Sequence, residues 1–433
     1  MPLRVDPALP TDIGGLHVTL ASTLLAEALE PTRALDGTPF GFATELGSRI
    51  AIASDAIVLD RRYGRPAAIP PLRETAGRDL ASLRRLALPD GGFAPWPGAK
   101  QSEIFSTAFV AVQLLQARDA GFAVDGDLSH ALAYVRKVLA DPYGLEDISK
   151  TDDLTAAEVR LEALETLGSA GDARTDFLTS VWAQQTHFEF YERVELARFL
   201  LRLPAWHARG IALRDELLQQ VNLGARHATV DVRGEFGESE PAGQAQMLQL
   251  AIAGGTPKED VDRLLESLLA LRHDGRWGCA CDDAEAMNGL VLYAAQDTLP
   301  PDFTAVATLP ARAPRTERRT FAGYATTSVT DTVPIDDLAR GRGDVDLQKT
   351  GRGPLHYAVA LRYRVPDESP GIYAGLRIAR VVRTPGDSAI AATFGLALPT
   401  ARTSVPGAHV DDVEDRSVTD HRVDNVLVTY PLP

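Results

Sequence analysis

The chain has 433 residues, of which 45% are hydrophobic and 24% charged, and its formal net charge is −15. That composition is ordinary for a globular protein, and the length exceeds that of a usual single domain, so two or three domains are predicted. The excess of acidic over basic residues, together with the absence of any run of lysine or arginine, argues against a general affinity for nucleic acid or anionic membranes.

The amino-terminal residues 1–20 contain no basic segment followed by an apolar run, so no signal peptide is predicted within this chain. No stretch approaches the roughly 20 apolar residues of a membrane span. We therefore expect a soluble chain without a membrane span, as a fragment of a longer exported protein would be.

Up to about residue 300, apolar side chains recur at helical spacing, as at Phe105, Phe109 and Val112. Four turns combine glycine with an aromatic side chain, at residues 90–96, 141–144, 233–237 and 274–278. Their spacing of roughly 45 residues, with one member unrecognised, is typical of two-helix repeats. Such hairpins stack into an open solenoid or an α/α toroid, and we favour the toroid.

Beyond residue 300 the pattern changes to alternation of two, after paired prolines at 298–302 end the helices. Alternation of two is typical of half-buried strands. Strands are predicted at 355–365, 376–382, 387–398 and 423–430, with an acidic turn at 411–415. Helices followed by strands imply separate domains, so the predicted fold is multidomain, an all-α toroid followed by an all-β sandwich region.

Residues 38–49, Thr-Pro-Phe-Gly-Phe-Ala-Thr-Glu-Leu-Gly-Ser-Arg, resemble the thioester segment of bacterial α2-macroglobulins, which reads Pro-Tyr-Gly-Cys-x-Glu-Gln-x-x-Ser-Arg. The two ends match without gaps, while Phe42 stands at the cysteine position and Glu45 at the glutamine position. The degenerate thioester motif consists of Pro39, Phe40, Gly41, Phe42, Thr44, Glu45, Ser48 and Arg49.

Further segments are similar to the same family and follow in the family's order. Residues 88–96 and 106–122 resemble its Asp-Gly-Gly-Phe turn and the helix after it, and residues 347–357 resemble its Lys-x-Gly-x-Gly strand pair. The resemblance implies four parts in chain order. Residues 1–20 would form an N-terminal strand or linker of a CUB-like domain, and residues 21–300 a thioester-domain-like toroid. Residues 301–366 would form the remainder of the CUB-like domain, and residues 367–433 a partial or degenerate C-terminal macroglobulin-like domain.

In that family the thioester joins the cysteine sulfur to the glutamine carbonyl, which acylates a peptidase once a bait region elsewhere is cut. The chemistry needs a sulfur leaving group. Phenylalanine at position 42 cannot form the bond, so covalent capture is excluded there. By the resemblance we expect the Phe42 ring to plug the pocket that would shield a thioester, where burial would contribute about 1.5–3 kcal/mol.

The resemblance thus implies a non-catalytic α2-macroglobulin-like fragment whose parent protein inhibits endopeptidases at the cell envelope without covalent capture. The implied partner is a target peptidase or an envelope protein, and the implied location is the periplasm or the cell surface. No cofactor or metal is implied. A decayed paralogue that only binds an envelope partner is a third option.

An α/α-toroid enzyme acting on a polysaccharide or an isoprenoid is the alternative, because fold alone does not decide function. A glycosidase needs two opposed carboxylates, which one sequence does not reveal. The pairs Asp152–Asp153 and Asp282–Asp283 are more typical of helix amino termini, where carboxylates favour the helix dipole. Converging carboxylates in a deep, aromatic-lined central cleft would favour the enzyme.

Cys279 and Cys281 are the two cysteines of the chain. A bridge between them would be badly strained, so both are interpreted as small, semi-buried residues after a turn. A zinc site that adds Asp282 and His227 or His273 matches no known ligand spacing. The histidine and the aromatic residues of one helical stretch are interpreted as surface and core: His187, Phe188, Phe190, Tyr191 and Phe199.

Overall fold

The computed structural model describes residues 2–5, 14–27, 35–37, 39–145, 148–149, 152–224, 227–230, 239–273, 275–325, 328–363, 377–383 and 391–397, the last two segments as backbone alone. Three predicted features lie outside these residues: the turn at 233–237, the acidic turn at 411–415 and the strand at 423–430.

Eleven α-helices occupy the described residues between 43 and 296. They are α1 (Ala43–Arg62), α2 (Ile69–Leu83), α3 (Ile104–Asp119), α4 (Asp125–Ala140), α5 (Asp153–Ser169), α6 (Leu178–Gln184), α7 (Phe190–Leu201), α8 (His207–Leu218), α9 (Glu240–Ala253), α10 (Lys258–Ala270) and α11 (Ala280–Gln296). Side chains cap several starts by accepting N–H groups that the first turn leaves unpaired. Asp152 caps α5 and Ser239 caps α9, which confirms the prediction of a helix start at Asp152.

The odd-numbered helices contact one another in series: α1 with α3, α3 with α5, α5 with α7, α7 with α9, α9 with α11, and α11 again with α1. Each even-numbered helix packs against the odd-numbered helix before it, and α4 and α8 also pack against the next one. Helix α1 is therefore covered on several sides, and 15 of its 20 residues are buried. A helix in such surroundings needs no continuous polar face.

Twelve strands are present in the described residues, and most follow the helices. They are β1 (Pro2–Val5), β2 (Gly14–Ala21), β3 (Asn222–Leu223), β4 (Ala228–Thr229), β5 (Asp302–Leu309), β6 (Arg315–Ala322), β7 (Ser328–Pro334), β8 (Gly341–Asp344), β9 (Asp346–Arg352), β10 (His356–Tyr363), β11 (Arg377–Arg383) and β12 (Ala391–Ala397). Strands β10, β11 and β12 confirm the strand predictions at 355–365, 376–382 and 387–398. Helix α11 ends at Gln296 and β5 starts at Asp302, so helices give way to strands where the sequence pattern changes near residue 300.

Two three-stranded antiparallel sheets have the orders β10-β2-β7 and β6-β5-β9. In the first sheet, Leu16 of β2 lies opposite Val333 of β7 and Leu361 of β10, so the start of the chain pairs with strands that come after the last helix. The two sheets share one apolar core, in which Leu16 lies in the same cluster as Phe303 and Phe321. The helical residues are thus inserted between strands of one β-structure.

Among the described residues, no helix is both long enough and apolar enough to cross a bilayer.

Candidate functional site

The degenerate thioester motif forms the loop before α1 and the first turns of that helix. Phe42 is the residue immediately before the helix, and its backbone is extended. Gly41 has a φ of 94°, in the left-handed region that favours glycine. The Ala43 N–H donates to the Pro95 carbonyl at 2.9 Å, which fixes the helix start against the loop at 95–97.

Positions 42 and 45 are neighbours across the first helical turn. The residue before a helix and the third residue within it lie close enough for reciprocal side-chain contacts. Here the Gly41 N–H donates to Glu45 Oε2 at 3.0 Å, so the Glu45 carboxylate lies against the backbone that leads into Phe42. The Glu45 carboxylate therefore lies beside the backbone immediately before Phe42.

Ser48 and Arg49, at the other end of the motif, are buried, and the side chains of both donate hydrogen bonds. The Ser48 hydroxyl donates to the Thr44 carbonyl at 2.8 Å. The Arg49 Nε donates to Asp79 Oδ2 on α2 at 2.9 Å, and both side chains are almost completely buried. Burial raises the pKa of Asp79, and Arg49 offsets part of that rise. This ion pair joins α1 to α2.

A cavity of about 540 Å³ lies beside the motif. Its lining comes from the segments around residues 37, 39, 41 and 97–98 and from α1, α2 and the turn after α2: Gly37, Pro39, Gly41, Leu46, Arg49, Arg78, Asp79, Ser82, Arg85, Leu86, Pro97 and Gly98. Arg78 and Arg85 donate hydrogen bonds to the hydroxyls of Thr75 and Ser82. The Arg49–Asp79 pair neutralises itself, so these two guanidinium groups make the cavity electropositive.

The expectation that Phe42 plugs a shielding pocket is wrong. Phe42 is 47% exposed and Phe40 is 87% exposed, and neither ring lines the cavity. Phe42 lies before the first turn of α1, so the side chains that pack along this helix cover only part of its ring. Trp96 is also exposed, on the loop that bonds to the start of α1. The motif therefore presents aromatic surface to solvent.

A second group of titratable side chains occurs among the odd-numbered helices. Five carboxyl groups on four of these helices interact electrostatically: Asp55 on α1, Glu162 and Glu165 on α5, Glu195 on α7 and Glu285 on α11. We call this group the carboxyl cluster. Burial, reinforced by Glu165, raises the pKa of Glu162 to about 8. Burial also raises the pKa values of Asp55, Glu195 and Glu285.

Glu165 differs from the other members because it has cationic partners. Its Oε1 lies 3.5 Å from an Arg198 nitrogen and 3.1 Å from an Arg202 nitrogen. Burial acts to raise the pKa of Glu165, but the two arginines outweigh it and hold that pKa below its ordinary value. No sequence pattern reveals the carboxyl cluster, because its members are up to 230 positions apart, from Asp55 to Glu285, and each looks like an ordinary helical acid.

The expectation for the cysteines is corrected. Cys279 and Cys281 form a disulfide, with their Cα atoms 5.3 Å apart, and both are exposed. That separation lies within the usual range, because the chain turns into α11 between the two residues. The two sulfur atoms and an Asp282 oxygen lie within 4.8 Å of one another. Bonded sulfurs offer no thiolate to a metal, however, so the zinc interpretation gains no ligand here.

Asp282 and Asp283 lie in the first turn of α11 and bond to backbone N–H groups there, as predicted. Asp282 accepts from the Cys279 N–H at 2.9 Å, and Asp283 accepts from the Trp277 N–H at 2.7 Å. In the predicted aromatic stretch, Phe188 and Phe199 are buried, whereas His187 is exposed. The core and surface interpretations of these three residues are confirmed.

Comparison with known proteins supports the class that this fold defines, a helical unit inserted between antiparallel strands. No protein-family model matches the chain. In structure it is similar to Escherichia coli α2-macroglobulin activated by porcine elastase, with a TM-score of 0.56 and 17% identity over 88% of this chain and 34% of that one. It is also similar to Salmonella α2-macroglobulin reacted with methylamine, with a TM-score of 0.51 and 16% identity over 88% of this chain and 24% of that one.

In sequence the chain is 34% identical to an α2-macroglobulin homologue from Nostoc, over 438 aligned residues that include 100% of this chain. The chain belongs to the bacterial α2-macroglobulin family. It spans 23% of the length of the Nostoc relative, about a quarter.

Proposed function

We propose that this chain is a non-catalytic module of an α2-macroglobulin-like protein that inhibits endopeptidases at the cell envelope without covalent capture. Family membership supports the inhibitory part, because α2-macroglobulins are protease inhibitors rather than enzymes. The chain corresponds to about a quarter of its Nostoc relative, so inhibition is a property of the longer protein. The proposed partner is a target peptidase or an envelope protein, and the proposed location is the periplasm or the cell surface.

The residue at position 42 carries the proposal that capture is not covalent. Phe42 and Glu45 are neighbours on the first turn of α1, where a thioester would need a thiol and an amide. A phenyl ring supplies no leaving group, and a carboxylate resists nucleophilic attack. Cys279 and Cys281 are bonded to each other, so neither offers a thiol in place of the missing one.

The proposal includes a division of the chain into domains. Residues 21–300 form an α/α toroid, supported by the series of odd-numbered helices that returns from α11 to α1. Residues 1–20 and 301–366 form one CUB-like sandwich, supported by the pairing of β2 with β7 and β10 and by the core shared between the two sheets. Residues 367–433 form the partial or degenerate macroglobulin-like domain.

Methylamine treatment tests the absence of a thioester. We expect the intact mass of the chain to stay unchanged and no thiol to appear, because methylamine opens thioesters and leaves disulfides intact. Salmonella α2-macroglobulin, whose structure was obtained after reaction with methylamine, is the positive control. A methylamide at Glu45, located by mapping the tryptic peptide that ends at Arg49, would contradict the proposal.

One observation favours the alternative function, an enzyme on a toroid that acts on a polysaccharide or an isoprenoid. The carboxyl cluster contains acids whose pKa values are raised by burial, as the general acid of a glycosidase requires. Exposed aromatic rings, by contrast, lie near the motif, at Phe40, Phe42 and Trp96. Release of reducing ends from a polysaccharide panel, abolished by Glu162→Gln, would favour the enzyme over the inhibitor module.

A further inference from the structure

The disulfide between Cys279 and Cys281 lies at the surface, where α11 begins. Both cysteines are exposed, whereas Asp282 and Asp283, the next two residues of the helix, are buried. A disulfide exchanges with an external thiol only if the thiolate can reach one of its sulfur atoms. The exposure of both cysteines gives a small thiol that access.

The bond closes a very short loop, because only Ala280 separates the two cysteines. The stabilisation that a disulfide gives grows with the length of chain that it closes, since a longer loop removes more conformational freedom from the unfolded state. This bond therefore contributes little to the stability of the fold. Exposed disulfides of this kind are the labile, reactive ones, in contrast to buried structural bonds.

Other contacts hold the start of α11 in place. The buried Asp283 carboxylate accepts the Trp277 N–H at 2.7 Å, and the Trp277 indole N–H donates to the Leu268 carbonyl at 2.6 Å. The hydroxyl of Ser239, the residue that caps α9, donates to Asp282 Oδ1 at 2.6 Å. None of these hydrogen bonds involves a sulfur atom, so we expect the helix to stay anchored when the disulfide opens.

The two sulfur atoms have different surroundings. Cys279 is the residue immediately before α11, and its Sγ accepts the Asp282 N–H at 3.3 Å. The amino terminus of a helix favours negative charge and stabilises a thiolate there. The Asp282 carboxylate opposes a thiolate, but one of its oxygens lies within 4.8 Å of both sulfurs, so it disfavours both. The donated N–H therefore makes Cys279 Sγ the better leaving group.

We propose that Cys279–Cys281 is a redox-active site that exchanges with external low-molecular-weight thiols. A thiolate attacks Cys281 Sγ and forms a mixed disulfide with it, while the Cys279–Cys281 bond breaks and its electron pair passes to Cys279 Sγ. A second thiolate attacks the sulfur of the bound thiol, which releases a small disulfide and leaves Cys281 as a thiolate. Two external thiols are thus oxidised, the protein disulfide is reduced, and the two protons pass through solvent to the protein sulfurs.

This site goes beyond the inhibitory role and does not depend on the missing thioester. Exchange through it would give the chain a point of reversible covalent attachment for a thiol.

Reduced glutathione at millimolar concentration and neutral pH, added to the whole oxidised chain, tests the reactivity of the bond. After treatment with N-ethylmaleimide, we expect the intact mass to show two labels in native buffer and none without glutathione. The circular dichroism spectrum and the thermal midpoint should stay those of the oxidised chain. The control, Cys279→Ser combined with Cys281→Ser, should have the same spectrum and take no label.

Two labels without glutathione would show that the bond is absent. Labels that appear only in denaturant would show that the bond is inaccessible in the fold, and loss of the helical spectrum on reduction would show that the bond is structural. Each of these results overturns the proposal.

Single-thiol variants test the direction of attack. Cys281→Ser keeps the Cys279 thiol, and Cys279→Ser keeps the Cys281 thiol while its serine hydroxyl still caps α11. At neutral pH we expect iodoacetamide to alkylate Cys279 at least about threefold faster than Cys281 in the folded chain, and at similar rates in denaturant, where the helix start is lost. Equal rates in the folded chain, or a faster Cys281, would overturn the proposal. None of these outcomes bears on the methylamine test, in which no thiol is added.

Discussion

The two ends of the degenerate thioester motif are a few residues apart and have opposite surroundings. Residues 39–45 form the exposed end, with Phe40 in solvent and Phe42 half covered. Residues 46–49 form the buried end, where Ser48 bonds within α1 and Arg49 pairs with Asp79 of α2. One short segment thus combines aromatic side chains exposed at the surface with an ion pair buried in the core.

This contrast explains which parts of the family pattern remain in this chain. Arginine at 49 and glycine at 41 have structural roles, an interhelical ion pair and a left-handed backbone, that do not depend on the thioester. By the resemblance, positions 42 and 45 would carry the reaction, and this chain has Phe42 and Glu45 there and also differs at Thr44. Substitutions can therefore measure how much each part of the motif contributes to the stability of the helix start.

The largest effect is expected at the buried end, for Arg49→Met. This change leaves the Asp79 carboxylate buried without its partner, which typically costs about 3–5 kcal/mol. We expect the free energy of unfolding of the helical part, measured by denaturant titration with circular dichroism, to fall by about that amount. Arg85→Met, which removes an exposed arginine from the same cavity, should change it by no more than about 0.5 kcal/mol.

A double variant shows whether the loss comes from the unpaired charge. Arg49→Met combined with Asp79→Leu replaces the whole pair by apolar groups, which is often nearly neutral. Recovery of most of the stability would confirm that the ion pair anchors α1 to α2. A loss below about 1 kcal/mol in Arg49→Met alone would show that the buried end is no more important than the exposed one.

Local patterns in the sequence predicted the elements of this fold well. The role of Asp152 as a helix cap depends only on neighbouring residues. Strand β10 depends only on an alternation within eight residues. A single stretch of sequence is therefore enough to predict each of them. The prolines near residue 300 marked the change from α11 to β5 for the same reason.

Features that depend on distant segments were predicted badly or not at all. The exposure of Phe42 depends on how the loop at 95–97 meets α1. The Cys279–Cys281 bond depends on the turn that leads into α11. The members of the carboxyl cluster come from α1, α5, α7 and α11, and no sequence window contains all four helices. Its acids carry no local signal that distinguishes them from solvated ones.

An intermediate effect is expected at Gly41, which lies in the exposed end but has a structural role. A side chain at a φ of 94° is strained, so Gly41→Ala should lower the free energy of unfolding by about 1–3 kcal/mol. Gly126→Ala is the matched control, because Gly126 lies in α4 and a Cβ added there would meet open space. That control should stabilise the chain by about 0.4–1 kcal/mol. Equal effects at the two glycines would show that the helix start tolerates other backbone angles.

The smallest effect is expected at Phe42, the position that decides the chemistry. Its ring is 47% exposed, so Phe42→Ala should lower the free energy of unfolding by less than about 1 kcal/mol. Phe42→Ser should have almost no effect, since a serine hydroxyl before α1 would cap N–H groups that Phe42 leaves uncapped.

Phe199→Ala provides the comparison for the same side chain in the core. Phe199 is fully buried, and a Cβ added at Gly168 of α5 would lie 2.9 Å from its ring, so the two helices are closely packed there. Truncation of this ring should cost about 3–5 kcal/mol in the same denaturant titration. If Phe42→Ala cost as much as Phe199→Ala, Phe42 would be a core residue in solution. The division of the motif into a structural end and a reactive end would then fail, because position 42 would itself stabilise the fold.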